Sequence, residues 1–153
     1  MSSVIARFAL LAALPVLGGA TDLVSNLEVR ALAAHNRERS ALGLEPLSWN
    51  DELQASAQLW ADHLAENGLF EHAPERGTNP QGENLWAGTP GYYSVDQMVG
   101  AWAAERKYFR RAAFPHNSVT GDIRDVGHYT QLVWRETHQL GCAIAHGKAE
   151  DVF

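Results

Sequence analysis

One predicted helix of this chain carries a carboxylate among its core-facing residues. The residues that share this face, at the i, i+4, i+7 and i+11 spacing, are Met98, Trp102, Glu105 and Phe109. Burial of an unpaired carboxylate is costly, so a glutamate on such a face needs a cation, a metal ion or hydrogen-bond donors. The simpler alternative is that Glu105 lies at the end of the face and reaches water. The helix alone leaves both interpretations open.

Three further residues could form a site with Glu105. Glu83 lies in QGENL, His72 precedes a loop rich in proline and glycine, and His128 opens HYTQLVW. Two neutral imidazoles with a carboxylate or a water molecule can bind Zn²⁺, and the remaining glutamate could act as a general base on that water. The alternative is a hydrogen-bonded network that binds metal weakly or not at all. Successive members are 11, 22 and 23 residues apart, so only the fold can assemble them.

Three helices must position these side chains, and the sequence predicts them over residues 26–42, 51–66 and 95–109. Gly43 ends the first, and Asn50 is a suitable N-cap for the second. Ser94 and Gln97 match a capping box at the start of the third. A short apolar strand, LGCAIA, follows the helices. Helices followed by short strands, without βαβ alternation, predict the α+β class.

Length and composition bound the architecture and the partners. The chain has 153 residues and a net charge of −6, which predicts one domain and no nucleic-acid partner. An apolar run from Phe8 to Leu17, followed by Gly18 and Ala20, predicts a signal peptide at residues 1–20. That run is too short to span a bilayer, and no later segment is apolar enough. The domain is therefore expected at residues 21–153, secreted or periplasmic.

Four ordered motifs resemble the CAP superfamily, which comprises cysteine-rich secretory proteins, insect venom antigen 5 and plant pathogenesis-related proteins. The motifs are HNRERSALGLEPLSWNDELQASAQLWADHLAENG, HAPERGTNPQGENLWAG, WAAERKYF and GHYTQLVWRETHQLGCAIA. They extend over roughly residues 27–145, and GHYTQLVW followed by LGCA is the most specific of them. The resemblance implies the three-layer α-β-α sandwich of the CAP, or SCP, domain.

The resemblance also implies where the site lies. Family members place two histidines and two glutamates around a central cleft, and the matching positions are His72, Glu83, Glu105 and His128. Glu105 would then face inward because it lines a cleft. Beside this tetrad, we expect Tyr129 to hydrogen-bond into the cleft and Gln131 to anchor a loop. Structural support and ligand contact remain alternatives for both.

The resemblance implies extracellular binding as the function. The expected ligand is a lipid or sterol-like molecule, or an extracellular protein or cell surface, with Zn²⁺ at His72 and His128 as an optional cofactor. A metal-dependent hydrolase, peptidase or esterase, is the first alternative. A signalling or toxin-like module that acts through surface contacts is the second. No residue is assigned as catalytic, since Ser94 is explained as a cap and Cys142 lies in a predicted buried strand.

The chain departs from the family pattern in one respect. Family members continue with another strand and a second signature of the C-R-Y type, whereas this sequence ends at AHGKAEDVF. We therefore expect a C-terminally truncated domain that lacks its final strand. Cys142 is the one cysteine of the sequence and has no partner for an internal disulfide.

Overall fold

A computed structural model of the chain describes residues 26–74 and 81–153. The predicted signal peptide lies outside the described residues. In the part that is described, four α-helices are present: α1 Leu27–Ala41, α2 Asp51–Asn67, α3 Val95–Ala103 and α4 Gly127–Leu132. None of them is long and apolar enough to cross a membrane.

The helix starts follow the predicted capping chemistry. The Asn50 side chain accepts a hydrogen bond from the Leu53 N–H at the start of α2. Ser94 and Gln97 form both bonds of the capping box at the start of α3. The α-helix of the third segment ends at Ala103, however, and continues as a 3₁₀ segment, Ala104–Tyr108. Helix α4 is not predicted from the sequence, because its N-cap position holds Val126, whose side chain cannot accept a hydrogen bond.

Five short strands complete the described structure: β1 Ser48–Trp49, β2 Ala87–Gly88, β3 Gln139–Leu140, β4 Ala145–His146 and β5 Asp151–Val152. The first and third pair in parallel, with Trp49 opposite Leu140. The other three form an antiparallel sheet in the order β2-β5-β4, with Val152 opposite both Ala87 and Ala145.

The strand predicted over LGCAIA is only partly correct. Its ends fall in β3 and β4, while residues 141–144 between them belong to neither ladder. Cys142 is buried as expected, at 8% exposure, but lies outside a strand. Strand β5 is not predicted from the sequence, although it is the central strand of its sheet.

The elements stack in three layers. Helix α2 packs on β4 and β5, while α1, α3 and α4 pack together on the opposite side of the strands. The core on that side contains Met98, Trp102, Tyr129 and Phe153, with Phe153 stacked on Trp102 at a centroid distance of 5.3 Å. This is the α-β-α arrangement that the family resemblance implies, and it agrees with the α+β class predicted from the residues.

Helix α1 buries polar groups that tie loops to the core. Arg39 is fully buried and donates to the carbonyl oxygens of Glu45, Trp134 and Thr137 at 2.8–2.9 Å. Asn36 exchanges two hydrogen bonds with the main chain of Leu47. These bonds fix the segments that lead into β1 and out of α4, and so the frame around the site.

Candidate functional site

Glu105 is paired, and it holds two groups at once. Its Oε1 accepts a hydrogen bond from His128 Nδ1 at 2.6 Å, and its Oε2 accepts one from the Tyr129 N–H at 3.0 Å. The Glu105 side chain retains 21% exposure. Two donors from the start of α4 therefore satisfy the carboxylate that the sequence places on a core-facing stripe.

Glu83 repeats this pattern. Its Oε1 accepts hydrogen bonds from His72 Nδ1 at 2.6 Å and from the Ala73 N–H at 3.1 Å. In both pairs, a glutamate binds a histidine ring and the backbone N–H of the residue that follows the histidine. Each carboxylate thus fixes the ring and the local main chain together.

The two pairs are linked through the residues that follow Glu83. The Asn84 side chain donates to the His128 carbonyl oxygen at 3.0 Å, and Trp102 Nε1 donates to the Leu85 carbonyl oxygen at 3.1 Å. The Trp102 ring also lies nearly parallel to the His128 ring, at a centroid distance of 6.4 Å and an angle of 10°. The fold therefore brings the predicted tetrad together as two connected pairs. We call this set of four residues the His/Glu cleft.

The hydrogen-bond pattern determines which ring nitrogen is free to bind. An ionised carboxylate only accepts, so Nδ1 of each histidine carries the hydrogen and a neutral ring keeps its lone pair on Nε2. His72 is 67% exposed and His128 is 41% exposed. Within the described ranges, neither Nε2 has a hydrogen-bond partner. A carboxylate on the second nitrogen is the usual way in which proteins orient a metal-binding histidine.

The donor set nevertheless limits the metal that fits. Among residues 26–74 and 81–153, no group of three or more His, Cys, Asp or Glu side chains could hold a metal ion. The nitrogens of this set that remain available to a metal ion are Nε2 of His72 and Nε2 of His128. Such a set fits an open, weak site and differs from the four-ligand set of a structural zinc site.

Tyr129, one of the two residues expected beside the tetrad, lies in the hydrophobic core. The Tyr129 side chain is fully buried, its ring lies 5.1 Å from that of Phe109, and its hydroxyl has no hydrogen-bond partner among the described residues. Burial raises the pKa of this hydroxyl. The hydroxyl therefore belongs to the core, and Tyr129 serves the cleft through its N–H.

Gln131 packs directly against Gly82, one residue before Glu83. A Cβ at Gly82 would meet the amide end of the Gln131 side chain, which would have to move to make room for it. Gln131 therefore lies against the loop that carries Glu83, and its role as an anchor of that loop stays a prediction. The sequence does not predict that Asn84 and Trp102 connect the two His/Glu pairs. The signal that points to Asn84 is its position beside Glu83 in GEN.

Other candidate groups have structural explanations. His35 Nδ1 donates to the Ala31 carbonyl oxygen at 2.8 Å, and burial lowers the pKa of the ring to about 4. Burial raises the pKa of the Cys142 thiol to about 12, which makes it a poor nucleophile. The Ser94 hydroxyl is used in the capping box.

The sequence model and the most similar curated proteins that we compared belong to one family. Residues 32–153 match the sequence model of CAP, described as the cysteine-rich secretory protein family. The chain is 37% identical to pathogenesis-related protein PR-1 of Medicago truncatula over 113 residues, which cover 73% of this chain and 60% of that protein. Identity to pathogenesis-related protein 1A of Nicotiana tabacum is also 37%, with 73% of this chain and 62% of that protein covered. The chain thus spans about three fifths of the length of these relatives.

Two solved structures share the fold at low sequence identity. NaASP2, in a crystal structure with Zn²⁺, superimposes with a TM-score of 0.68 and 20% identity, over 92% of this chain and 80% of that chain. Hookworm platelet inhibitor superimposes with a TM-score of 0.64 and 16% identity, over 84% of this chain and 66% of that chain.

Proposed function

The chain belongs to the CAP family of cysteine-rich secretory proteins, and on that premise we propose that it is exported and binds an extracellular or periplasmic ligand at the His/Glu cleft. The observation that carries the proposal is the pair of carboxylate-held imidazoles. Each of the two rings is exposed and is held by a glutamate through Nδ1 at 2.6 Å, so each has an oriented Nε2 available to a ligand. Export rests on the family and on the predicted signal peptide.

We propose that a divalent metal is an optional ligand of this cleft. His72 and His128 would hold Zn²⁺ or Cu²⁺ through Nε2, because their Nδ1 atoms are already engaged. The similar NaASP2 structure was determined with Zn²⁺, which supports the same metal here. When bound, the ion would supply a charged contact point for an anionic group of a ligand or partner.

Calorimetric titration with ZnCl₂ tests the metal site. We expect one site in the wild type and none in the double variant His72→Ala, His128→Ala. The matched control is His116→Ala, His138→Ala, which removes two exposed imidazoles outside the cleft. If the cleft variant binds Zn²⁺ as tightly as the control, the metal lies elsewhere and this part of the proposal fails.

We propose a lipid-like molecule as the organic ligand, bound at a surface cavity separate from the His/Glu cleft. Support comes from a cavity of about 410 Å³ whose apolar walls include Phe109, Phe114, Val133 and Trp134. Phe114 and Trp134 are 59% and 40% exposed, and a contiguous exposed apolar patch is typical of a surface that a ligand or partner covers. Their rings meet edge to face at 5.7 Å, so they form one patch.

Displacement of a fluorescent fatty acid tests this ligand class. We expect the double variant Phe114→Ser, Trp134→Ser to weaken binding at least tenfold. Tyr92→Ser is the control, since Tyr92 is a 66% exposed aromatic residue outside the cavity. Equal affinity in the two variants would exclude this patch as the binding surface.

The alternative function is a metal-dependent hydrolase, and turnover of a peptide or ester substrate would favour it over binding. Both cleft glutamates already accept two hydrogen bonds each, which leaves neither poised as a free general base. The assay combines purified protein, Zn²⁺ and peptide or ester substrates, with Glu83→Gln as the control. Hydrolysis that Glu83→Gln abolishes would replace binding with catalysis as the function.

A biological activity that survives all tetrad substitutions would instead favour a module that acts through surface contacts alone.

A further inference from the structure

A segment of opposite charge to the rest of the chain follows Glu105. Residues 106–121 contain no Asp or Glu, although the net charge of the chain is −6. They contain four cations, Arg106, Lys107, Arg110 and Arg111. The first pairs with Glu38 at 2.8 Å, while the other three form no ion pair among the described residues. The segment therefore carries a local excess of positive charge.

The middle of this segment is a loop that main-chain contacts close at its base. The Arg110 N–H donates to the Asn117 carbonyl oxygen at 2.9 Å, next to a bridge between residues 109 and 118. Residues 111–116 at the tip are all exposed. We call residues 109–118 the basic loop. Because its base is paired, the loop presents its tip in a defined shape.

The two arginines of the basic loop are held by neutral partners. Arg110 Nε donates to the His116 carbonyl oxygen at 2.9 Å, and Arg111 Nη2 donates to the Leu42 carbonyl oxygen at 2.7 Å. A carbonyl oxygen orients a guanidinium group without cancelling its charge. Since each group has five N–H donors, others remain for an anion, and guanidinium geometry matches that of phosphate.

An exposed aromatic pair lies beside these cations. Phe114 is at the tip of the basic loop, and its ring meets that of Trp134 edge to face at 5.7 Å. Both rings line the cavity of about 410 Å³ together with Arg111 and Arg135, and Glu136 is the one carboxylate among its described lining residues. Cations next to exposed Phe and Trp are typical of protein surfaces that lie in the headgroup region of a bilayer.

We propose that the basic loop docks the protein on the surface of an anionic lipid bilayer. Arg110 and Arg111 bind lipid phosphates, and Phe114 inserts between the headgroups. An acidic polysaccharide supplies the charges but no apolar surface for Phe114 and Trp134, so the aromatic pair favours a bilayer. This surface goes beyond the proposed ligand site, because docking does not require a lipid inside the cavity.

Co-sedimentation of the full chain with vesicles tests the proposal. We expect binding to vesicles of phosphatidylcholine mixed with phosphatidylglycerol and little binding to phosphatidylcholine alone. Binding should weaken as the NaCl concentration rises, because salt screens exposed charges. Equal binding to both kinds of vesicle, or binding to neither, would overturn the proposal.

Charge variants test the location of the surface. Each cation near an anionic bilayer contributes about fivefold in affinity, so Arg110→Gln, Arg111→Gln should weaken binding about 25-fold. The matched control is Arg124→Gln, Lys148→Gln, which removes the same charge from two exposed positions outside the basic loop. Equal affinity of these two double variants would overturn the proposal.

The conservative variant separates charge from loop shape. Arg110→Lys, Arg111→Lys keeps both charges and should bind anionic vesicles nearly as well as the wild type. A loss as large as that of the Gln variant would show that the arginines only hold the loop, which would overturn the proposal. Circular dichroism shows whether each variant is folded, and if the Gln variant is not, the salt and lipid series on the wild-type chain decides.

The aromatic contribution and the alternative partner have their own tests. Phe114→Ser should weaken vesicle binding at least tenfold, whereas Tyr92→Ser, at an exposed aromatic residue outside the basic loop, should not. Binding of heparin without binding of vesicles would assign the loop to a polysaccharide and overturn the proposal. Vesicle binding without displacement of the fluorescent fatty acid would support docking and remove the lipid ligand from the cavity.

Discussion

The substitution Glu105→Gln changes one atom and tests the role of the carboxylate in the His/Glu cleft. A carboxamide has one accepting oxygen, while Glu105 uses two, one for His128 Nδ1 and one for the Tyr129 N–H. If the Gln oxygen keeps the backbone N–H, its NH₂ group faces His128 Nδ1 and must donate to it. The imidazole then carries its hydrogen on Nε2 and loses the lone pair that would bind a metal.

The magnitude follows from the two hydrogen bonds. Hydrogen bonds to a charged group contribute about 1.5–3 kcal/mol and neutral ones about 0.5–1.5 kcal/mol. Replacing two hydrogen bonds to a charged group with two neutral ones therefore lowers the free energy of unfolding by about 2 kcal/mol. The remaining 21% exposure of Glu105 reduces this through screening. We expect the free energy of unfolding to fall by about 1–2 kcal/mol and the affinity for Zn²⁺ to fall by about 10- to 100-fold, the usual cost of losing such a partner.

Three measurements check this expectation. Nitrogen-15 NMR of the imidazoles reports which ring nitrogen of His128 carries the hydrogen, calorimetry reports Zn²⁺ affinity, and urea unfolding reports stability. Glu83→Gln is the matched control, because it should alter the tautomer of His72 and leave that of His128 unchanged. If His128 keeps its hydrogen on Nδ1 in Glu105→Gln and Zn²⁺ affinity is unaltered, the carboxylate does not orient this histidine.

Three further predictions concern buried groups. The His35 pKa falls from 6.5 to about 4 on folding, so the unfolded chain binds more protons between these values, and the free energy of unfolding should fall by about 3 kcal/mol between pH 7 and pH 4. Subtracting the pH curve of His35→Gln isolates this contribution, and parallel curves would contradict it. Tyr129→Phe should raise stability by about 1 kcal/mol and leave Zn²⁺ affinity unchanged, because it removes a hydroxyl that is unpaired among the described residues and keeps the N–H; a loss measured by urea unfolding would show that the hydroxyl is paired. Cys142 should react with a thiol reagent about 10³-fold more slowly in the folded than in the unfolded chain at pH 8, because burial raises its pKa from 9.0 to about 12. Equal labelling rates would place the thiol at the surface.

Local signals predict three of the four α-helices in the described part of the chain. Asn50, Ser94 and Gln97 act at the positions where their side chains can cap a helix, because capping depends on residues only three apart. The short strands are predicted less well. Two-residue strands such as β5 carry too few residues for a period-two pattern, and the pairing of β5 with β2 joins segments that lie far apart in sequence.

The candidate site is likewise predicted in part, since the sequence identifies its residues but not their contacts. Residue types and family motifs identify the four cleft residues, but they do not indicate that each glutamate also binds the N–H after its histidine. Tyr129 shows the limit most clearly. A tyrosine beside His128 suggests a hydroxyl that points into the cleft, whereas the packing of α4 turns the ring into the core against Phe109. Side-chain direction on so short a helix is set by packing, which motifs do not encode.

The inward position of Glu105 has a physical explanation in these contacts. A carboxylate that only bound a ligand would gain nothing from a place on the core-facing stripe of α3 and its 3₁₀ extension. Glu105 instead joins that stripe to the start of α4 by accepting the Tyr129 N–H, and the same carboxylate orients His128. Glu83 does the same for the chain at His72 and Ala73. Fold stability and the proposed ligand binding therefore depend on the same two carboxylates. Removing either carboxylate, by truncation to alanine or by substitution with Gln, should therefore lower both quantities together, and a loss of one without the other would contradict this shared dependence.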